Sequence, residues 1–399
     1  MNRKYGVLIF LSVLSVITFL DRNAISLAGQ RITEELGLTE GQFGWILSAF
    51  TISYGLFEIP TGLLGDRYGA KKILVRVVFW WSIFTVLTGF AGGFASLFLI
   101  RFLFGAGEAG AYPNTAIAIR QWFPVIERGR AQAVIWMASR IGGALAPFLV
   151  IPLQMQFGWR VSFYLLGAVG VVWAVIWWFG YREPEGSPSL STGQQDKTNK
   201  SSWNRWMKSR NFWLLMLMYY CYASGVFFFI SWLPKYLQNG RGIAEGQLAY
   251  AASLPFLLAA FGCLMGGSLS DLLVKKLGLN WGRRIVPMVG LCLSGASMIV
   301  AAFTANNSIA IIFLALGLAF MDVTAPVSWA VATDLSGKDS GAVTGAMNTA
   351  GLLGGTITSI GIGYLVVMFH SYTVPVVILG ILLIVGALLW LLIKADKQL

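Results

Sequence analysis

Apolar runs recur along the whole chain, each near the ~20 residues that cross a bilayer as helix. Twelve can be traced, at about 5–28, 43–64, 73–92, 95–117, 131–153, 159–180, 211–237, 248–270, 285–304, 308–332, 341–368 and 372–394. Short polar stretches rich in Gly, Lys and Arg separate them. One separator is longer: residues 181–210 are polar and rich in Pro, Ser and Gly, as a connector would be. Its end, with Trp203, Trp206, Lys208 and Arg210, suits a short amphipathic helix on the membrane surface. The pattern predicts an all-α membrane protein of 12 transmembrane helices in two six-helix bundles, over 1–180 and 211–399, joined by 181–210.

The halves echo each other. After the second span comes Gly65-Asp66-Arg67-Tyr68-Gly69-Ala70-Lys71-Lys72; after the eighth come Gly267-Ser268-Leu269-Ser270-Asp271, Lys275-Lys276 and Gly282-Arg283-Arg284. Internal repeats of this kind build alternating-access transporters. Asp66, Arg67 and Asp271 fall at helix ends, where a carboxylate can meet backbone N–H groups or basic clusters and hold a gate closed.

The net charge of +12 is explained by topology, not by nucleic-acid binding. With a cytoplasmic N-terminus, the inside segments hold Arg3, Lys4, Arg67, Lys71, Lys72, Arg76, Arg120, Arg128, Arg130, Lys275, Lys276, Arg283, Arg284, Lys338, Lys394 and Lys397. The outside loops hold only Arg31, Arg160, Lys235 and Arg241, so both termini are expected in the cytoplasm. Cys221, Cys263 and Cys292 lie in apolar segments with no metal or redox spacing, and His370 is the only histidine. No metal cluster, cofactor loop or nucleophile motif supports an enzyme. The first apolar run leads to Asp21-Arg22, not to a cleavage site, so no signal peptide is expected.

Against this background the intramembrane charges carry the chemistry. The stretch RFLFGAGEAGAYPN, Arg101 to Asn114, puts Arg101 and Glu108 on nearly one helix face, roughly 10 Å apart along the axis. A charge near the bilayer centre costs at least ~2.5–3.5 kcal/mol, so it faces a protein interior or a wet path. The pair marks either a polar pathway or an ion pair locking helices, and the small residues between let a neighbouring helix come close. Asp21 and Arg22 fall at a similar depth. Arg22 or Arg101 can hold a carboxylate by two parallel hydrogen bonds; alternatively one of them only neutralises Asp21. Glu108, in apolar and glycine-rich surroundings, suits a proton carrier whose state depends on a nearby arginine. Arg140 reads either as a second anion contact or as a charge partner for Asp21, Glu58 or Glu108. Glu58, before Pro60, reads as a gate or packing contact. Asp322 would bind a coupling cation or pair with Arg140. Tyr219, Tyr220 and Trp329 read either as rings suited to sugar hydroxyls or as ordinary core aromatics.

The Gly65–Lys72 segment resembles the loop signature of the major facilitator superfamily, and the second copy its C-terminal counterpart. Phe19-Leu20-Asp21-Arg22-Asn23, Arg101–Asn114, Gln121-Trp122-Phe123-Pro124 with Glu127-Arg128, and Ser231-Trp232-Leu233-Pro234 resemble the anion:cation symporter branch, which includes sugar-acid and sialin-like transporters. The resemblance implies uptake of an organic anion with protons. It assigns proton coupling and substrate binding to Asp21, Arg22, Arg101 and Glu108, and further substrate contacts to Tyr54, Ser328, Trp329 and Asn348. The chain departs from the galactonate type near Phe19, where a tyrosine hydroxyl is missing, and at Arg140, where a small residue is usual. The expected protein is a monomeric proton-coupled symporter of a small organic anion such as a sugar acid, in the cell inner membrane. The alternative is an exporter or uniporter of an amphiphilic solute, which three intramembrane arginines disfavour.

Overall fold

The computed structural model describes residues 3–182, 206–336 and 340–395. They are helical almost throughout. The first helices are α1 (Arg3–Leu27), α2 (Gly29–Glu35), α3 (Glu40–Tyr68), α4 (Ala70–Thr88), α5 (Phe94–Glu108), α6 (Ala111–Trp122) and α7 (Val125–Gly180). Then come α8 (Arg210–Phe227), α9 (Glu245–Phe303), α10 (Asn307–Asp322), α11 (Thr324–Ser336), α12 (Ser340–Phe369) and α13 (Thr373–Leu392). Most of the 181–210 connector, Lys338 and Lys397, and the side chains of Asp66, Arg128 and Arg130, lie outside the described residues.

Among the described residues, eight helices are long and apolar enough to cross a membrane. Two of these, α7 and α9, each contain two spans that meet at a single glycine, Gly158 (φ 80°, ψ 162°) and Gly278 (φ 80°, ψ 169°). With both divided, and with α3 and α4 packed among them, the fold is the twelve-helix arrangement expected from the apolar pattern. Spans 4 and 10 are broken in the middle, at Ala109–Gly110 and at Val323. Beyond α8, span 7 widens into π-helical turns at Phe228–Trp232 and Tyr236–Gly240, on either side of Pro234. A proline has no N–H to give and crowds the preceding turn, so a wider turn relieves the ladder there.

The backbone repeats as well as the sequence. Among the described residues φ is positive at Gly37, Gly69, Gly158, Gly242, Gly278 and His370. These form three matched pairs: Gly37 and Gly242 after the first span of each half, Gly69 and Gly278 after the second, Gly158 and His370 after the fifth. Left-handed backbone costs an L-residue roughly 1–2 kcal/mol, and glycine avoids that cost. His370, at φ 49°, is the one member that bears a side chain.

The described chain divides into two compact units. One runs from the N-terminus through α7 and takes in Leu248–Ser253; the other holds the rest. In the first, α1 packs along α7, α3 along α5, and α4 against both α5 and α7. Lys4 of α1 pairs with Glu127 at the start of α7, at 2.6 Å. Just past the Gly158 kink of α7, Arg160 Nη2 meets Glu35 Oε1 at 2.8 Å while its Nη1 donates to the carbonyls of Gly89 and Ala91. In the second unit α8 packs on α12 and α13, with Trp232 Nε1 donating to Ser359 O at 3.1 Å. The chain after α13 is held by backbone contacts: Asn211 exchanges two hydrogen bonds with Lys394, and Asn280 accepts from Ala395 N.

Candidate functional site

In the first unit, α1, α3 and α5 bring the charged side chains together. The close fit depends on small residues in α5. A Cβ on Gly105 would lie 2.5 Å from the Phe50 carbonyl oxygen and 2.3 Å from Ser53 Oγ of α3. A Cβ on Gly107 would lie 1.9 Å from the Trp80 ring of α4. Backbone approach at these two points lets α5 carry Arg101 and Glu108 into the interior, where they are 2% and 0% exposed.

Arg22 Nε donates to Glu108 Oε1 in a short ion pair between α1 and α5. The spacing in sequence suggested Arg101 as the cation governing Glu108. Arg101 does act on it electrostatically, but the hydrogen-bonded partner comes across from α1. The reason is geometric: two residues seven apart are stacked about 10 Å along one axis, beyond contact, whereas crossing helices bring unrelated positions together.

Aromatic rings surround the Arg22 guanidinium. Its central carbon lies 5.4 Å from the Phe19 ring, 5.0 Å from Phe50, 5.0 Å from Tyr54 and 5.7 Å from Tyr112. Rings attract the cation through their faces without accepting its N–H groups in ordinary hydrogen bonds, so the guanidinium is held while its donors stay available. Arg101 rests on Phe104 at 4.1 Å and on Phe50 at 5.9 Å, and Arg140 lies 5.9 Å from Phe19. Phe50 thus contacts the guanidiniums of Arg22 and Arg101, and Phe19 those of Arg22 and Arg140. Arg101 Nε and Nη1, Arg22 Nη2 and Glu108 Oε2 find no hydrogen-bond partner among the described residues. Each unsatisfied buried donor or acceptor costs about 1–3 kcal/mol.

Asp21 is 1% exposed and points away from Arg22, as adjacent helical residues do at roughly 100° per step. It faces Trp81 and Thr85 of α4 and lies within electrostatic reach of Arg101 and Glu108. Neither of its oxygens makes a hydrogen bond by distance and angle. Glu58 is half-buried one turn beyond Tyr54 on α3 and acts on it electrostatically. Arg67 is exposed, 5.2 Å over its neighbour Tyr68.

The second unit holds the remaining expected residues, in two places. Asp322 is fully buried at the end of α10 and accepts a hydrogen bond from the Tyr222 hydroxyl at 3.0 Å. Nearby on α11, Trp329 Nε1 donates to the Tyr219 hydroxyl at 3.2 Å, and Ser328 Oγ gives its proton to Thr324 O at 2.9 Å. Asn348 lies half-buried on α12. At the end of span 8, Arg283 Nη1 meets Asp271 at 2.7 Å and its Nε lies 3.4 Å from Asp334.

Phe50, Trp81, Tyr112 and Asp334 belong to these clusters and were not singled out from the sequence. Only Tyr112 carried a signal: it stands four residues after Glu108, the spacing of neighbours on one helix face. Phe50 and Trp81 sit in spans already dense with aromatics.

Comparison with known proteins agrees with this architecture. The chain is 36% identical to the probable sulfoacetate transporter SauU of Cupriavidus necator, covering 98% of this chain and 94% of that protein. It is 31% identical to the hexuronate transporter of Bacillus subtilis over 89% and 87% of the two chains, and 29% identical to the D-galactonate transporter of Escherichia coli over 100% and 97%. A crystal structure of a bacterial homologue of the human lysosomal transporter Spinster superposes with a TM-score of 0.80 at 21% identity, covering 98% and 97% of the chains, and shares the fold. The sequence model of the Major Facilitator Superfamily matches residues 11–280, and with that span and these relatives the chain belongs to this superfamily of membrane transporters.

Proposed function

We propose that this multi-pass membrane transporter takes up a small organic anion, such as a sugar acid, together with protons. The observation that carries the reading is the buried Arg22–Glu108 pair, with unpartnered Arg101 donors close by. An anion arriving at Arg22 competes with Glu108 for the same guanidinium. Once displaced, the buried carboxylate loses its counter-charge and takes a proton instead, because desolvation disfavours its ionised form. Anion and proton then favour each other's binding, and the coupling is reciprocal. Asp21, within reach of both Arg101 and Glu108, is a second proton acceptor in this scheme.

In this reading Arg22 and Arg101 grip the anionic group, Tyr54 adds a hydroxyl, and Arg140 contacts a second polar end. Ser328, Trp329 and Asn348 are the contacts from the half spanning 211–399, which 181–210 joins to 1–180. Asp66, Arg67 and Asp271 act at the gate, and Glu58 and Asp322 have accessory roles. Both termini face the cytoplasm, the membrane is the cell inner membrane, and the working unit is a monomer. The relatives named for sulfoacetate, hexuronate and galactonate support an organic anion as cargo. The test is substrate-dependent proton uptake by purified protein in liposomes. Sulfoacetate, glucuronate and galactonate serve as probes, and proton entry with at least one of them is expected. Anion entry without proton movement would refute the coupling.

A further inference from the structure

One ring beside Arg22 is held far more firmly than contact with a cation requires. Tyr112 of α6 stacks on Trp136 of α7, with centroids 5.0 Å apart and planes within 6°. Its hydroxyl lies 3.1 Å from Ser15 Oγ of α1. Ser15 has one proton and directs it to Ile135 O, also at 3.1 Å. The proton between Ser15 and Tyr112 therefore belongs to the tyrosine, which donates. The stack fixes the plane of the ring and the hydrogen bond fixes its rotation within that plane. Ser15 and Arg22 are seven residues apart, two turns along one face of α1. The helix that anchors the ring is thus the helix that presents the guanidinium leaning on it. Phe19 also comes from α1, and Phe50 and Tyr54 from α3. Tyr112 alone of the four rings follows Glu108, across the Ala109–Gly110 break.

We propose that Tyr112 is a positioning residue: held by Ser15 and Trp136, its ring sets how firmly Arg22 grips Glu108, and with it the pH at which Glu108 takes up its proton. The proposal rests on the symport reading above. The charged and titratable groups facing the pair are Asp21 of α1, Tyr54 of α3 with Glu58 one turn beyond, Arg101 of α5 and Tyr112 itself, with Arg140 of α7 also beside the Phe19 ring. Removing the Tyr112 hydroxyl changes none of the charges. A changed titration then reports altered position.

The experiment titrates the infrared band of the protonated Glu108 carboxyl in the purified full-length protein, assigning the band by its loss in Glu108→Gln. Tyr112→Phe and Ser15→Ala each remove one oxygen and loosen the ring. Each is expected to raise the half-protonation pH by about half a unit, roughly a threefold gain in proton affinity, the size of one ordinary hydrogen bond. The double variant is expected to match the single ones, since both act through the same bond. Tyr112→Leu, which removes the ring as well, is expected to shift it by about tenfold in proton affinity. If wild type titrates and the Phe and Ala variants overlay it, losing only melting temperature, Tyr112 is a packing residue and the proposal is overturned. If the wild-type carboxyl takes no proton at any pH where the protein is folded, the proton-carrier reading fails first, and this inference with it.

Discussion

Glu108→Gln tests the coupling scheme most directly. The glutamine keeps the shape of the side chain and an oxygen for Arg22 Nε, but it carries no charge and cannot exchange a proton. Removing one member of a buried ion pair costs about 3–5 kcal/mol when the other charge is left uncompensated. Here the cost is expected at or below the lower end of that range. The amide still accepts a hydrogen bond, and the four rings around Arg22 continue to hold the cation. Folding should therefore survive with a lower melting temperature. The functional effect is different in kind. With one proton linked to one anion, wild-type anion affinity changes by up to about tenfold per pH unit over the linked range. In the variant that slope should fall toward zero, and affinity should settle at the wild-type acidic limit, where Glu108 no longer competes for Arg22. Counterflow exchange in liposomes should persist, while accumulation driven by an imposed pH gradient should disappear. Undiminished pH-driven accumulation would show that Glu108 carries no coupled proton and would end the mechanism.

Other perturbations probe separate parts of the structure. Arg101→Ala should abolish the thermal stabilisation given by an anion, and Arg101→Lys should restore little of it, because an ammonium cannot reproduce a two-pronged guanidinium contact; full retention in the lysine variant would show that charge alone suffices. Gly107→Leu should destabilise by at least about 1–3 kcal/mol, since its Cβ already meets the Trp80 ring at 1.9 Å; an unchanged melting temperature would mean that α4 and α5 can move apart. Outside the membrane spans, Glu35 accepts from Trp159 Nε1 at 2.5 Å and pairs with Arg160, and these partners hold its carboxyl below the usual range. A depressed folded-state value gives stability that is present above the unfolded value and lost as pH falls through the folded one. Trp159→Phe should therefore lower the melting temperature slightly near neutrality and by less in acid, and an equal loss at both would assign the effect to packing.

How much of this was readable depended on the kind of constraint. Transmembrane spans announce themselves because the bilayer sets their length, and the charges within them stand out against apolar neighbours. The α7 and α9 junctions were legible too, since the spans on either side of Gly158 and Gly278 were traced separately, at 131–153 and 159–180 and at 248–270 and 285–304. Asp21, Arg22, Arg101 and Glu108 could be picked out one by one. Which guanidinium meets Glu108 could not, because that is decided by where α1 crosses α5, a relation between positions 86 residues apart. The rings around Arg22 were hidden for the opposite reason, since 14% of the chain is aromatic and no single Phe or Tyr is conspicuous. Asp271 was found through its glycine-rich neighbourhood, whereas Asp334, which reaches the same arginine from another helix, had no local pattern to reveal it.

The pairing of Gly158 with His370 offers a practical handle. At this one junction the C-terminal half carries a side chain at positive φ, 49° at His370, where the N-terminal half has a glycine at φ 80°. Asparagine accepts that conformation more readily than histidine, so His370→Asn should make the protein sturdier by a fraction of a kcal/mol. The site is remote in sequence from every charge discussed above, and the gain would suit purification and structural work without altering what the protein carries.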